Sequence, residues 1–381
     1  MPTLIVFCHL RWDFVFQRPQ HLMTRLAEHY RILFVEEPVY DEGKAHLKKT
    51  AVAPNITVCQ PHTGIQAPGF HDDQIPTLQT LLADLVPEGE RPVVWFYTPM
   101  ALPLLQGFDP ALVIYDCMDE LAAFKNAPKQ LLQRENALLN IADLCFTGGP
   151  SLYESKRERH ANAHCFSSSV DAKHFQKALD RDDSHPDQAH VARPRLGFYG
   201  VIDERFDTEL LEKAAEMRPD WSFVMVGPVV KISEEDLPKR PNIHYLGGKT
   251  YAELPAYLSG WDVALMPFAM NESTQFISPT KTPEYLAGGK PVVSTPIKDV
   301  VRHYGKLDGV RIAATAEEFV EDCELALDLS RNPEGGWLAD ADLLLSASSW
   351  DTTQARMAGL IADVLGTRTG ATSPALLVAA E

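Results

Sequence analysis

The chain has 381 residues, of which 45% are hydrophobic and 23% charged, so it holds enough apolar material for two globular domains. Its formal net charge of −17 argues against general nucleic-acid binding, because that binding depends on Lys and Arg neutralising phosphates. The six cysteines form no C-x-x-C pair, so neither a zinc ribbon nor a redox motif is indicated.

The first half alternates short apolar runs with helical patterns, which predicts a parallel sheet covered on both faces by helices. Strands are predicted at 4–8, 32–35, 56–58, 93–96, 112–115 and 144–146, and helices at 19–29, 75–85 and 129–141. Residues 176–194 then break the pattern. They are rich in Asp, His, Gln and Pro and have no apolar period, which predicts an inter-domain linker.

A second alternation follows the predicted linker. Strands are predicted at 196–199, 223–226, 263–266 and 292–294, and helices at 208–217, 251–258 and 283–287, the first of them capped by Asp207. A helix at 350–365 and a frayed tail at 366–381 complete the chain. We therefore expect two doubly wound α/β domains, 1–175 and 195–349, that face each other across a cleft. Ligands should bind there, beyond the carboxyl ends of the strands, and the last helix should cross back onto the first domain.

Several segments of the second half resemble glycosyltransferases of the GT-B fold, in particular family 4 (glycosyl transferases group 1). The strongest similarity is P-E-Y-L-A-G-G-K-P-V-V at 283–293, which resembles the donor-binding element E-A-M-A-x-G-x-P-V-V. Weaker similarities follow the family's order at 168–175, 197–200, 219–227, 245–247 and 262–267. In the first half, 9–22 and 115–120 resemble a bacterial subgroup associated with envelope and exopolysaccharide synthesis. The resemblance implies two facing Rossmann-like domains.

The donor-binding element supplies the main candidate residues. By resemblance, Glu284 holds the ribose diol of a nucleotide sugar; a glutamate favoured by the helix dipole is the structural alternative. Ser278, Thr280 and Lys281 precede the predicted helix, where backbone N–H groups and a positive charge suit a phosphate. An ordinary capping turn with an exposed lysine is the alternative there.

Other parts of the resemblance concern the phosphates as well. Gly200 and Gly227 lie in the turns that follow the matching strands, and Arg205 follows the Gly200 turn, where it either neutralises the donor diphosphate or lies in solvent. Gln17 and Arg18 occupy the place of the family's glycine-rich phosphate loop, and an Arg fork suits the recognition of a phosphate or a carboxylate.

One position departs from the family. A second glutamate eight residues before Glu284 is common in the family, and this chain has Phe276 there. The usual sugar contact at that site is therefore in doubt. Asn271, Glu272 or Ser273 are the possible substitutes, and the sequence does not distinguish among them.

Polar and aromatic groups also follow two predicted strands of the first half, at ends expected to face the cleft. Asp116 and Asp119 come after one strand, where a carboxylate could act as general base, orient the acceptor or cap a turn. The candidates for the acceptor side follow the first strand: His9, Arg11, Trp12 and Asp13. His160, His164 and His174 have no metal-like context, and no metal site is expected.

The predicted function is a metal-independent transfer of a sugar from a nucleotide sugar, UDP-sugar being favoured by family frequency, to a glycan or lipid-linked acceptor. No cofactor is expected besides this co-substrate. A nucleotide-sugar epimerase and a non-catalytic nucleotide-sugar-binding module remain alternatives on the same fold. No signal peptide or membrane span is visible, so we expect a cytoplasmic protein with scope for peripheral contact with the inner membrane.

Overall fold

The computed structural model describes residues 1–180, 184–332 and 336–369. Within those residues the strands form two separate sheets, one in each half of the chain. Apolar clusters cover both faces of the first sheet. The predicted α/β class with two doubly wound domains is thereby confirmed.

The first sheet has the strand order β3-β5-β2-β1-β6-β7-β8-β9, with β4 paired outside this path to β5. All of its described pairings are parallel except β4 with β5. Its strands are β1 Thr3–Cys8, β2 Arg31–Glu36, β3 Val39–Tyr40, β4 His46–Ala53, β5 Ile56–Thr63, β6 Val93–Phe96, β7 Leu112–Cys117, β8 Leu144–Thr147 and β9 Ala163–Cys165.

The second sheet is parallel throughout its described pairings and has the order β12-β11-β10-β13-β14-β15. The strand order reverses direction between β10 and β13. Open α/β sheets bind ligands in the crevice that forms at such a reversal. Its strands are β10 Arg195–Tyr199, β11 Ser222–Val226, β12 Ile243–Tyr245, β13 Val263–Met266, β14 Val292–Ser294 and β15 Val310–Ile312.

The helices pack on these sheets through apolar faces. The predicted cap of α6 is present, since the Asp207 carboxylate accepts a hydrogen bond from Leu210 N at 2.8 Å. The α-helices are α1 Arg18–Leu26, α2 Ile75–Leu82, α3 Leu131–Ile141, α4 Pro150–Lys156, α5 Ala172–Phe175, α6 Thr208–Met217, α7 Leu254–Ser259, α8 Lys281–Ala287, α9 Lys298–Tyr304, α10 Ala316–Arg331, α11 Trp337–Ser346 and α12 Trp350–Thr369. The 3₁₀ turns are Asp72–Gln74, Pro99–Gly107, Leu121–Ala123, Gln176–Leu179, Pro186–Gln188, Glu234–Asp236, Tyr251–Glu253 and Glu272–Thr274.

The segment predicted as a linker needs a correction. Ala178 and Val191 are buried in the core of the second domain, together with Val170 and Phe175 from just before the segment. Gln188 is fully buried as well, and its amide donates to Tyr257 O at 3.0 Å. The described residues of 176–194 are thus packed against the second domain instead of spanning a gap, and 181–183 lie outside the described residues.

The last helix, α12, returns to the first domain, as the sequence predicts. Trp350, Met357 and Ile361 are buried in the same apolar cluster as residues of β1. The helix runs to Thr369, so the predicted tail at 366–381 begins too early; residues 370–381 lie outside the described residues. None of the described helices is long and apolar enough to cross a membrane.

Candidate active site

A cavity of about 440 Å³ lies between the two domains, where the carboxyl ends of both sheets meet. The first domain contributes the segment that follows β1 and the turns after β7 and β8. The second domain contributes the turns after β10 and β11 and the start of α8. Since each of these segments follows a strand or precedes a helix, their positions are set by the two sheets.

Two glycines bring the backbone of the second domain close to Lys281. Gly200 and Gly227 have φ angles of 137° and 156°, in the region that favours glycine. A Cβ at Gly227 would overlap the carbonyl oxygen of Gly200, and a Cβ at Gly200 would overlap the Lys281 side chain. The lysine thus lies across a bare backbone turn at the cavity wall.

Lys281 presents a positive charge to this cavity. Its Nζ lies 5.6 Å from the ring centres of both Phe198 and Phe268, and no ion-pair partner for it occurs within the described part of the chain. Burial lowers the pKa of Lys281, and the nearby Glu284 carboxylate opposes that shift. An anion entering the cavity would supply the missing counter-charge.

Glu284 lines the same cavity from the first turn of α8. Its Oε2 accepts a hydrogen bond from the Tyr199 hydroxyl at 2.9 Å, and the Tyr285 hydroxyl accepts one from Tyr199 N at 3.0 Å. Burial raises the pKa of the Glu284 carboxyl, while Lys281 lowers it. Tyr251 borders the cavity too, and its hydroxyl is buried without a partner among the described residues.

Arg205 reaches the cavity but is already half engaged. Its Nε and Nη2 bind the Asp203 carboxylate at 2.9 and 2.6 Å, and its guanidinium lies 5.3 Å from the ring centre of Phe124. Within the described residues its Nη1 has no hydrogen-bond partner. Nη1 therefore remains available to a ligand, and Arg205 lies at the cavity instead of in open solvent.

The predicted roles of Arg18 and Asp116 both need correction, because the two side chains bind each other. Arg18 Nη2 lies 2.9 Å from Asp116 Oδ1, and its Nε contacts both carboxylate oxygens. The third nitrogen of Arg18 donates to Phe166 O at 2.8 Å. The two side chains are only 3% and 0% exposed. Arg18 lines the cavity, as predicted, but Asp116 and Phe166 O engage all three of its nitrogens, so it is not free to bind phosphate, and Asp116 is not placed to act as a base.

Asp119, by contrast, lines the cavity. Its carboxylate has no hydrogen-bond or ion-pair partner within the described chain. Burial raises the pKa of Asp119, and the charges of Arg205 and Lys231 lower it. Of the two predicted aspartates, this is the one whose carboxylate a substrate could contact.

The predicted acceptor side is only partly correct. His9 lines the cavity, its Nδ1 is buried without a described partner, and burial lowers its pKa to about 4, so the ring is neutral at pH 7. Among the described residues, the lining does not include Arg11, Trp12 or Asp13. Arg11 pairs with Glu36 at 3.1 Å instead.

The other two residues of this group, Trp12 and Asp13, do not supply cavity contacts either. Trp12 packs edge-on against Phe34 at 5.1 Å between ring centres, and Asp13 is exposed. The segment contributes four largely apolar residues to the lining in their place: Leu10, Phe14, Val15 and Phe16. The side of the cavity nearest β1 is therefore more apolar than the sequence predicts.

Three remaining predicted residues, Gln17, Ser278 and Thr280, line the cavity. Gln17 precedes α1, where its backbone N–H donates to Gln20 Oε1 at 3.1 Å, and Ser278 O accepts a hydrogen bond from Ser168 across the domain boundary. Thr280 lies directly before α8; its side chain does not cap the helix, but a hydrogen bond from it to the Glu284 side chain lowers the pKa of that carboxyl.

The departure at Phe276 has a structural counterpart. Phe276 packs against the apolar core of the first domain, so it forms a contact between the domains. The candidate substitutes Asn271, Glu272 and Ser273 are not part of the described cavity lining. Asn271 instead caps the short turn Glu272–Thr274, accepting from Ser273 N at 3.0 Å. No described side chain of 271–276 therefore replaces the family's glutamate.

Several residues of interest were not predicted from the sequence. Asp203 and Tyr251 line the cavity, and the spacing of Asp203 from Arg205 is a signal that those two side chains can pair.

A group of side chains away from the cavity was not predicted either: Asp41, His46 and His62, whose potential ligand atoms lie within 4.8 Å of one another. His46 lies on the largely exposed strand β4, His62 lies on β5 beyond its apolar run, and Asp41 follows the two-residue strand β3.

Comparisons with known proteins agree with this architecture. Residues 193–328 match the family described as Glycosyl transferases group 1. The chain is 30% identical over 244 residues to the "Putative teichuronic acid biosynthesis glycosyltransferase TuaH" of Bacillus subtilis (strain 168). That match covers 57% of this chain and spans 59% of the length of the relative.

Solved structures resemble the whole chain. A sucrose-phosphate synthase from Thermosynechococcus elongatus has a TM-score of 0.72 at 15% identity, covering 96% of this chain and 100% of its own. A UDP-forming trehalose-phosphate synthase from Burkholderia xenovorans has 0.66 at 14%, covering 96% and 99%. HepE from Anabaena, in complex with UDP, has 0.60 at 12%, covering 95% and 100%.

At these identities the likeness to solved structures concerns the fold, while the family match concerns the residues. The two agree with the resemblance found in the sequence, and that resemblance is confirmed. Residues 193–328 of this chain thus match the glycosyl transferases group 1 family, in a molecule with the GT-B fold.

Proposed function

We propose that this protein is a glycosyltransferase that moves a sugar from a nucleotide sugar, UDP-sugar being favoured, to a glycan or lipid-linked acceptor in the synthesis of bacterial cell-surface polysaccharide. The observation that carries the proposal is that Lys281 and Glu284 both lie on the first turn of α8, at the wall of the inter-domain cavity and beside the Gly200 turn. The relationship to TuaH favours the cell-surface acceptor.

The second domain would hold the donor. The Glu284 carboxylate would accept two hydrogen bonds from a ribose diol, since an ionised carboxylate has about four acceptor sites and only Tyr199 and Thr280 are described as using them. Lys281 and the free Nη1 of Arg205 would neutralise the diphosphate as it departs. Fixed positive groups in a site shielded from water can stabilise developing charge strongly, and we propose that transfer proceeds without a catalytic metal or other cofactor.

The first domain would hold the acceptor. His9 and Asp119 supply the polar groups there, and Asp119 would accept the proton of the attacking hydroxyl or orient it. Phe14 and Phe16 are 50% and 38% exposed beside the cavity, which suits an acceptor with an apolar part. A lipid-linked acceptor would place this edge of the cleft near a membrane surface, so we propose peripheral contact there.

The proposal is tested by titrating UDP and uridine into the wild-type protein and two variants. Lys281→Met should weaken UDP binding about tenfold or more and leave uridine binding unchanged, because the lysine contact is to phosphate. Glu284→Ala should weaken both ligands by about ten- to a hundredfold, which corresponds to about 1.5–3 kcal/mol for a charge-assisted hydrogen bond. Lys298→Met is the matched control, since Lys298 pairs with Glu154 at 3.0 Å outside the cavity.

Activity assays decide the class of activity, and the binding data test where the diphosphate lies. Sugar transfer that requires an added acceptor supports a glycosyltransferase, while epimerised product from UDP-sugars alone would identify an epimerase. If Lys281→Met reduces UDP and uridine binding equally, the placement of the diphosphate is wrong. UDP binding without transfer to any of a broad set of acceptors would favour a non-catalytic module.

A further inference from the structure

Three strands at the outer edge of the first sheet bring two imidazoles and a carboxylate together. In the antiparallel pair β4·β5, His46 and His62 are direct cross-strand partners, and their rings stack with centres 4.6 Å apart. Strand β3 also pairs with β5, and Asp41 directly follows β3. The backbone N–H of Asp41 donates to Thr63 O of β5 at 2.8 Å. The backbone register thus fixes all three residues side by side.

Hydrogen bonds fix which ring nitrogens of the two histidines are available. His62 Nε2 lies 3.2 Å from Gln60 Oε1. The Gln60 amide is oriented by its own donation to Glu36 Oε2 at 2.8 Å, so its oxygen must face the histidine. In the neutral ring, His62 therefore carries its proton on Nε2, and Nδ1 offers a lone pair. His46 Nδ1 lies 3.1 Å from Lys44 O, a carbonyl acceptor, which leaves Nε2 of His46 with the lone pair.

The carboxylate of Asp41 lies so close to His62 Nδ1 that a proton or a cation is needed between the two atoms. Its Oδ1 accepts a hydrogen bond from Gly43 N at 2.9 Å, and its Oδ2 lies 3.2 Å from His62 Nδ1. Two lone pairs at that distance repel each other unless a proton or a cation lies between them. A carboxylate oxygen and a ring nitrogen about 3 Å apart have the spacing of two neighbouring ligands on one metal ion, given metal–ligand bonds of about 2.0–2.2 Å.

We propose that Asp41, His46 and His62 form a binding site for a divalent transition-metal ion, with Zn²⁺ as the best fit. Two imidazole nitrogens and one carboxylate oxygen are ligands that Zn²⁺ prefers, and a water would complete four-coordination. Gln60 would act as the outer partner that orients His62, as is usual for histidines that bind metal.

The site is connected to the edge of the cavity by a short chain of hydrogen bonds. Gln60 joins His62 to Glu36, and Glu36 accepts from Trp12 N at 2.8 Å and pairs with Arg11. A metal ion here would therefore brace, through Gln60 and Glu36, the segment whose next residues, 14–16, line the cavity. The proposal does not depend on the sugar-transfer function, since it concerns only the binding of an ion.

The test is calorimetric titration of ZnCl₂ into the full, untagged chain at pH 7. We expect one saturable Zn²⁺ per chain and no saturable Mg²⁺ binding, since Mg²⁺ prefers oxygen ligands. His46→Ala and His62→Ala should each reduce the Zn²⁺ affinity at least about tenfold, because even the loss of an outer partner typically costs about that much. His46 is exposed, so the melting temperature of His46→Ala without metal should match that of the wild type.

His71→Ala is the matched control, because His71 also faces an aspartate, Asp73, at 3.4 Å but has no second histidine beside it. Its Zn²⁺ affinity should equal that of the wild type. Zn²⁺ should also raise the melting temperature of the wild type and not that of His46→Ala, since a ligand that binds the folded state stabilises it. The absence of saturable Zn²⁺ binding, or equal affinity in wild type, His46→Ala and His62→Ala, would overturn the proposal, and a proton would then bridge Asp41 and His62.

Discussion

The two walls of the cavity differ in how they use their polar residues. In the second domain, Glu284 and Lys281 lie on the first turn of a helix and face the cavity with unused hydrogen-bonding capacity. In the first domain, Arg18 and Asp116 occupy equally suitable chain positions but bind each other in the interior. A polar residue near the cleft thus has two possible fates, and the presence of a buried partner of opposite charge decides between them.

The difference has an energetic basis. A buried charge without a partner is costly, so a buried arginine and aspartate that can meet will pair. Lys281 and Glu284 remain at the cavity, where a ligand can complete their interactions. The first-domain wall should therefore depend on Asp119 and His9 for chemistry, and the Arg18–Asp116 pair should affect stability alone. Four predictions test this contrast, from the largest expected effect to the smallest.

Asp119→Asn should bind UDP normally and lose sugar transfer by about 10²- to 10⁴-fold, the usual contribution of a general base. The reason is that Asp119 alone of the predicted pair presents an unpaired carboxylate to the cavity. UDP affinity and the transfer rate are measured on the same preparation. Wild-type transfer by this variant would end the catalytic role and favour a retaining reaction in which the departing diphosphate takes the proton.

Arg18→Ala should lower the free energy of unfolding by about 3–5 kcal/mol, because it leaves the Asp116 carboxylate buried without a counter-charge. The free energy of unfolding of each variant is measured by urea denaturation and extrapolation to zero urea. Arg91→Ala is the comparison: Arg91 and its partner Asp109 are 59% and 76% exposed, so the loss should be about 1 kcal/mol or less. Similar losses in both variants would contradict the distinction between the two arginines.

The UDP affinity of the wild type should fall as pH rises through the range from roughly 7 to 10, below the ordinary lysine pKa of about 10.4. Burial lowers the pKa of Lys281, so its ammonium loses its proton, and with it the attraction to phosphate, earlier than an exposed lysine would. The steepest fall is about tenfold per pH unit. In Lys281→Arg the guanidinium stays charged, so a pH dependence as steep as in the wild type would show that another group titrates.

Asp13→Ala should change almost nothing. Asp13 is exposed and lies outside the described cavity lining, so its removal should shift the unfolding free energy by no more than about 0.5 kcal/mol. UDP affinity and transfer should stay at wild-type values. A clear loss of transfer with donor binding intact would restore Asp13 to the acceptor side, which the structure assigns to other residues.

The sequence allowed much of the fold to be predicted, because buried parallel strands appear as apolar runs. The run at 4–8 lies within β1, and the helix at 208–217 is α6 with its Asp207 cap. Strand β4 was missed since four consecutive residues of it are exposed, and its sequence H-L-K-K-T-A-V-A has no apolar run. The segment 176–194 looked like a linker because its few buried residues, such as Ala178, are too widely spaced to show a period.

The donor wall was easier to predict than the acceptor wall for a similar reason. Lys281 and Glu284 are three residues apart on one helix, so their proximity follows from the local sequence. The Arg18–Asp116 pair joins residues 98 positions apart, and no local pattern indicates it. The same holds for Asp41 and His62, which meet only through the pairing of β3 with β5.

Helix α12 has a consequence for the order in which this protein can fold during synthesis. Trp350, Met357 and Ile361 fill one face of the first-domain core, yet the ribosome makes them after the whole second domain. Nascent domains generally fold as units in order of synthesis, but this one lacks part of its apolar filling until residue 361 has emerged. While the second domain is being translated, the first must therefore keep an apolar surface exposed, and a chain stalled before Trp350 would expose it for as long as the stall lasts.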